Sequence, residues 1–303
     1  MPAASLSNAT STAVDLSRLP PPNVVEALDF ETILDRLTAD FAGRFPGFDA
    51  FLESDPAIKL LEVIAYQELV LRQRVNDAAQ AVTVAFATGA DLDNLAAFFG
   101  VTRIEIAPAD AQAQTPAVME TDAALRRRIL LSPDAYSVAG PTAAYVYHAL
   151  SASGDVLDVS ATSPAPGEVV ISVLSVDGDG TASAELLALV EAAVAADDIR
   201  PLTDQVSVRS AEIVPVSIEA RLTLHSGPDA ELILRTALDR LADVLAENRR
   251  MGRDLTRSAI FAALHVAGVQ NVDLVSPATD VVISPTQAAH AFAIDVTVGG
   301  IDE

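Results

Sequence analysis

The stretch KLLEVIAYQELVLRQRVNDAAQAVTVAF, residues 59–86, decides how the N-terminal third of the chain is read. At 100° per residue, Leu60, Ile64, Leu71, Val75, Ala78, Val82 and Ala85 line up in one stripe, and Val63, Tyr66, Val70, Ala81 and Val84 form a second stripe beside it. Together they span roughly half the circumference, more than the ~100° face that docks an ordinary surface helix. Ser54-Asp55-Pro56 supplies a cap with proline at the first helical position, and Thr88-Gly89 supplies a stop. The expected helix therefore covers 56–88, a rod of about 50 Å. Gln67 lies inside the main stripe, Arg74 on its edge, and Glu68 and Arg72 are spaced as an i,i+4 ion pair. Two readings fit this pattern: the central helix of a self-contained domain, or one member of a bundle whose polar seam residues fix register and partner.

Working outward, residues 1–23 are rich in Ser, Thr and Ala and end in RLPPPN, which reads as an extended arm. A first amphipathic helix is expected from Phe30 to about Phe41, and GADLDNLAAFFGV predicts a short third helix capped by Asp91. Residues 106–120 read as a linker or an irregular strand and loop. The remainder contains an internal repeat. TAAYVYHALSASGDVLDVS from Thr142 matches TRSAIFAALHVAGVQNVDLVS from Thr256, aligning Leu150 with Leu264 and Gly154 with Gly268, and EVVIS at Glu168 echoes DVVIS at Asp280. Each copy reads helix, glycine stop, strand, proline-containing turn, strand. Further helices are expected at 183–196 and 228–247, and further strands at 206–214, 216–224 and 292–298. The expected class is α+β: an arm over 1–23, a helical bundle-forming domain over 24–110 with one long helix, and two duplicated small α/β domains over 111–212 and 213–303.

The chain has 303 residues, half of them hydrophobic, enough for two or three domains with real cores. Its 42 acidic residues against 19 basic ones give a net charge of −23, spread along the whole length. Phosphate contacts need a basic footprint, so autonomous nucleic-acid binding is not expected. The absence of cysteine excludes disulfides, thiolate nucleophiles and cysteine-ligated zinc. The first fifteen residues show neither a basic start nor an apolar core, and nowhere do 18 apolar residues run together, so neither a secretion signal nor membrane insertion is expected.

Nothing in the sequence points to catalysis or to a cofactor. His148, His225, His265 and His290 show no ligand spacing and read as surface or structural histidines. DGDGTASAE, residues 177–185, begins like a calcium loop, but Ala182 stands where glycine is needed and Ala188 where the bidentate glutamate belongs. It reads instead as a strand-to-helix turn capped by Ser183. No dinucleotide, Walker or nucleophile-elbow motif is present. The only dense positive charge is Arg249, Arg250, Arg253 and Arg257 in ENRRMGRDLTR. A helix C-terminus accounts for Arg249 and Arg250, and a dock for an acidic surface of a neighbouring subunit is the second account.

DLSRLPPPNVVEALDFETIL, ESDPAIKLLEVIAYQELVLRQRVNDAAQAV, ATGADLDNLAAFFGV, LRRRILLSPDAYSVAGPTAAYVYHALSA and NRRMGRDLTRSAIFAALHVAGVQNVDL together resemble the baseplate assembly protein J family of contractile-tailed bacteriophages. The likeness is collinear from about Asp15 to the C-terminus. It implies a non-enzymatic structural subunit of the tail baseplate wedge, carried in the virion and assembled in the host cytoplasm. The partners it implies are a second copy of the chain, a tail protein I-like wedge subunit, a lysozyme-like sheath-initiator protein and the central hub and spike proteins. It also implies that the N-terminal helices enter a shared bundle, with one side of the long helix against its own domain and the other against partners. Leu60, Ile64, Gln67, Leu71, Val75, Val82 and Phe86, together with the four arginines, are on this reading the interface residues. The rival reading from another class is an enzyme or ligand-binding protein built on the duplicated α/β domains, which a metabolite-induced thermal shift distinguishes.

Overall fold

In the computed structural model the described residues are 16 and 19–302, apart from 48–51, 53, 111, 113, 138–140, 197–198, 202 and 228. Of the expected arm, only residues 16 and 19–23 fall within them. The chain divides into two compact units, one drawn from 14–102 with 121–126, the other from 103–120 with 127–303.

The first unit is helical. α1 (Phe30–Arg44) starts at Asp29, whose carboxylate accepts from the Thr32 amide at 2.8 Å and the Thr32 hydroxyl at 2.7 Å. α2 (Pro56–Ala81) starts as its sequence predicts, with Asp55 accepting from the Ala57 amide and Pro56 in the first turn. It ends seven residues before the expected stop. The β-branched run Val82-Thr83-Val84 is a poor helix former, and the Thr83 hydroxyl bonds back to the Gln80 carbonyl at 2.9 Å. Arg126 takes the Val84 and Ala87 carbonyls, each at 2.7 Å, which fixes this segment as turns. α3 (Gly89–Phe98) follows from Thr88, with Asp91 in its first turn and not at the cap. Gly89, read from sequence as the end of the long helix, is the first residue of the next.

The other unit opens on a two-stranded antiparallel ladder, β1 (Glu105–Ala107) with β2 (Val118–Met119). α4 (Asp122–Ala135) comes next, a helix the sequence reading did not name; Pro133 sits in its last turn. Between them lies a buried ion pair: Glu120 accepts from Arg128 at 2.7 Å and from the Ile104 amide at 3.1 Å, and both side chains are nearly inaccessible.

The first α/β domain is α5 (Thr142–Ala152), β3 (Val156–Thr162), β4 (Glu168–Ser175), α6 (Ala184–Val194) and β5 (Gln205–Ser210), with sheet order β3-β4-β5. β3 and β4 are antiparallel, β4 and β5 parallel, and Ile171 and Val173 on the central strand are fully buried against α5 and α6. The turn at 177–183 leads into α6 with Ser183 accepting from the Leu186 amide, as its sequence suggests.

The second domain is β6 (Glu212–His225), α7 (Ala230–Asn248), α8 (Arg257–Leu264), β7 (Val269–Ser276) and β8 (Gln287–Asp302), with sheet order β7-β6-β8. Again one edge strand is antiparallel to the centre and the other parallel. The repeat is therefore real in its helix–glycine–strand part, where α5–β3 corresponds to α8–β7. It fails at the EVVIS/DVVIS echo. EVVIS is the central strand β4, whereas DVVIS (280–284) forms only an isolated bridge from Val281 to Leu255. The central position in the second sheet belongs to β6, which precedes the repeat helix in the chain. Strand pairing is non-local, and a sequence echo carries no information about which segment occupies the middle of a sheet.

Gly154 and Gly268 occupy the same helix-to-strand turn, and each has an isoleucine pressed onto it: an added Cβ would lie 2.5 Å from Ile106 Cγ1 or 2.6 Å from Ile233 Cδ1. Only Gly268 also has a positive φ, +97°.

Candidate assembly surface

α2 buries the wrong stripe for an isolated domain. Its buried residues are Ile58, Leu61, Ala65 and Asn76, a line on the side of the helix away from both stripes that dominate its sequence pattern. Asn76 is buried because it pairs reciprocally with the backbone of Glu26, accepting at 3.0 Å and donating at 2.9 Å. Glu68 receives Arg36 at 2.5 Å and Arg72 at 3.0 Å, the latter being the i,i+4 pair read from spacing. Arg36–Glu68 thus ties α1 to α2, and Asn76 ties α2 to the segment before α1.

The remaining apolar residues face water. Leu60 is 63% exposed, Leu71 65% and Val75 54%, with Val63, Ile64, Tyr66 and Val70 exposed beside them and Gln67 among them. Val82 and Phe86 belong to neither face of the helix, since α2 has ended: Val82 projects from a turn and Phe86 is half-buried. The sequence reading placed one stripe inward and one outward. In the structure both are outward, and seven large apolar side chains on one 26-residue helix are left without cover among the described residues.

The arginine cluster is the second expected contact surface, and its side chains are engaged within the chain. The guanidinium of Arg249 reaches back across the junction of the two α/β domains to the Gly178 carbonyl at 2.8 Å. Arg250 donates to the Leu157 carbonyl at 3.4 Å and lies beside Asp158; burial lowers its pKa, which the Asp158 charge opposes. Arg253 turns back onto the Glu247 carbonyl at 2.9 Å. Arg257 donates to the Leu274 carbonyl at 3.1 Å and to Pro277, and its guanidinium lies 5.5 Å from the Phe261 ring centre. All four bond within the chain, and only Arg253 is exposed. They do not form a free basic patch.

Beside Arg250 lies Asp158 on β3, only 4% exposed. Its carboxylate accepts from Arg127 of α4 at 2.5 Å, from the Met251 amide at 2.9 Å and from the Val159 amide at 2.8 Å. A small apolar cluster continues the junction, with Leu174, Ala211 and Ala288 buried and Leu157, Ile213 and Met251 packed on them. Sequence reasoning missed this carboxylate. Its partners Arg127 and Met251 lie 31 and 93 residues away in the chain, so no local signal marks it.

Among the described residues no group of three or more His, Asp or Glu side chains could hold a metal ion, and no helix is long and apolar enough to cross a membrane.

Three family models match the chain in succession: the baseplate J-like N-terminal domain over 53–110, the central domain over 137–210 and the C-terminal domain over 216–297. Baseplate protein J of Escherichia phage P2 is 47% identical over 299 residues, covering 96% of this chain and 99% of its own. Among solved structures, the cryo-EM baseplate of the anti-feeding prophage, symmetrised sixfold, contains a similar chain at 17% identity with a TM-score of 0.40. That match covers 60% of this chain and 44% of the other.

Proposed function

The chain belongs to the baseplate J-like family, and from that premise we propose that it is a structural subunit of a phage tail baseplate that acts by assembly and not by catalysis. The observation that carries the reading is the collinear 47% identity to a baseplate protein over nearly the whole of both chains. The uncovered apolar face of α2 is what such a role requires: a surface that is incomplete until a partner arrives. The even acidity keeps the unassembled chain soluble and slows association with the wrong neighbours.

In finer detail, the subunit is part of the baseplate wedge in the virion and assembles in the host cytoplasm. α2 enters a helical bundle shared with a second copy and a tail protein I-like subunit, while other surfaces meet a lysozyme-like sheath initiator and the hub and spike proteins. The α/β domains, fixed to each other by the Asp158 junction, act as a rigid arm between these contacts.

Deleting the gene from the producing genome tests this. The expected result is loss of complete tails, restored by supplying the chain in trans, with the tagged protein located at the tail end by gold labelling. Complete, functional tails from the deleted genome would refute it.

A further inference from the structure

β8 is an edge strand whose share of the core is unfinished. Ile294, Val298 and Ile301 are in register with Ile218, Leu222 and Leu224 of β6, all of which are fully buried. Yet Ile294 is 46% exposed, Val298 38% and Ile301 66%, because among the described strands none lies beyond β8. An apolar groove of about 300 Å³ runs beside the strand, between Leu245 and Ala246 of α7 and Ala289, Ala291 and Ile294 of β8. Long flat edges are normally guarded by lysine, proline or inward-pointing charge. Between 291 and 301 the only charged residue is Asp295, and there is no proline. The two register shifts lie at 291/293 and 298/300, leaving 293–298 regular.

We infer that this edge pairs with β8 of a second copy, antiparallel about a two-fold axis at Val296, joining two three-stranded sheets into one of six strands. The strand is self-complementary in that register. Ile294 stands opposite Val298, Phe292 opposite Gly300, and Asp295 opposite Thr297, so no carboxylate faces another. A two-fold perpendicular to the sheet keeps the helices of both copies on one side, where the exposed core-face residues complete each other's layer. Centring the axis on Asp295, or pairing the strands parallel in register, sets carboxylate beside carboxylate. This contact rests on the baseplate reading and adds to it a second surface, apart from α2, through which copies meet, but its test in solution is independent of that reading.

The chain has no cysteine, so single cysteines report cleanly. Residues directly opposite in an antiparallel pair have Cα atoms about 4.5–5.5 Å apart, within disulfide range. Mild oxidation of the full-length Val296→Cys chain should give a covalent dimer, while Ile294→Cys and Val298→Cys should each remain single chains alone and cross-link when mixed. Ile294→Lys with Val298→Lys should weaken the dimer about tenfold or more by sedimentation, and Ile294→Lys with Val298→Glu should restore it through paired opposite charges. Equal cross-linking at all three positions, identical behaviour of the two charge variants, or a wild-type chain that sediments only as a monomer would overturn the inference. Each of those outcomes leaves the gene-deletion result, and with it the baseplate role, untouched.

Discussion

Replacing Leu60 and Leu71 with aspartate should leave the isolated chain folded and remove it from baseplates. Both side chains are more than 60% exposed on α2, and surface changes of this kind alter monomer stability by about 0.5 kcal/mol or less. In an assembled bundle the same positions are enclosed, and each aspartate must then be desolvated without a partner. A combined penalty of about 4 kcal/mol weakens association roughly a thousandfold. Circular dichroism of the purified variant and its content in particles check the two halves separately. An unfolded variant would show that the face is part of the domain's own core. A folded variant that still enters particles would show that the face is not an interface. Val82 is unsuitable as a probe despite its place in the apolar pattern, because it lies beyond the end of the helix.

Asp158→Ala should have the second large effect, on stability. The carboxylate is buried and accepts from Arg127 and the Met251 amide, with Arg250 beside it. Removing one partner of a buried ion pair leaves uncompensated charge and typically costs about 3–5 kcal/mol. Arg127 is partly exposed, which places the expected loss near the lower bound, about 3 kcal/mol. A fall in melting temperature of roughly 5–10 °C is the corresponding observation. Asp158→Asn, which keeps an acceptor but loses the charge, should fall between the two. Unchanged melting of the alanine variant would show that the apolar cluster around Leu174 and Met251 holds the domains together without the ion network.

How far the sequence discloses this structure depends on whether a signal is local. The start of α2 is readable because Asp55 and Pro56 act within one turn, and the same holds for the cap at Ser183. The end of α2 is not, because Arg126, some forty residues on, fixes the Val84 and Ala87 carbonyls. The inward face of α2 was also hidden. When apolar residues cover half a helix the pattern has no single phase, and the line that is buried, Ile58, Leu61, Ala65 and the backbone-bonded Asn76, lies outside both stripes. The arginine cluster shows the same limit. Charge density is visible in ENRRMGRDLTR, but the carbonyls that absorb Arg249 and Arg250 come from residues 157 and 178, a whole domain away in sequence. The duplicated helix–glycine–strand units were legible from Gly154 and Gly268. The chain order of the second sheet was not, since β6 reaches its central place from outside the repeat.

The most direct test of the central claim is a cryo-EM map of the baseplate, resolved to side chains, from particles that contain this chain. The account predicts Leu60, Ile64, Leu71 and Val75 of α2 enclosed by helices of other subunits. A map in which that face lies open to water, or in which the chain is absent from the baseplate, would contradict it.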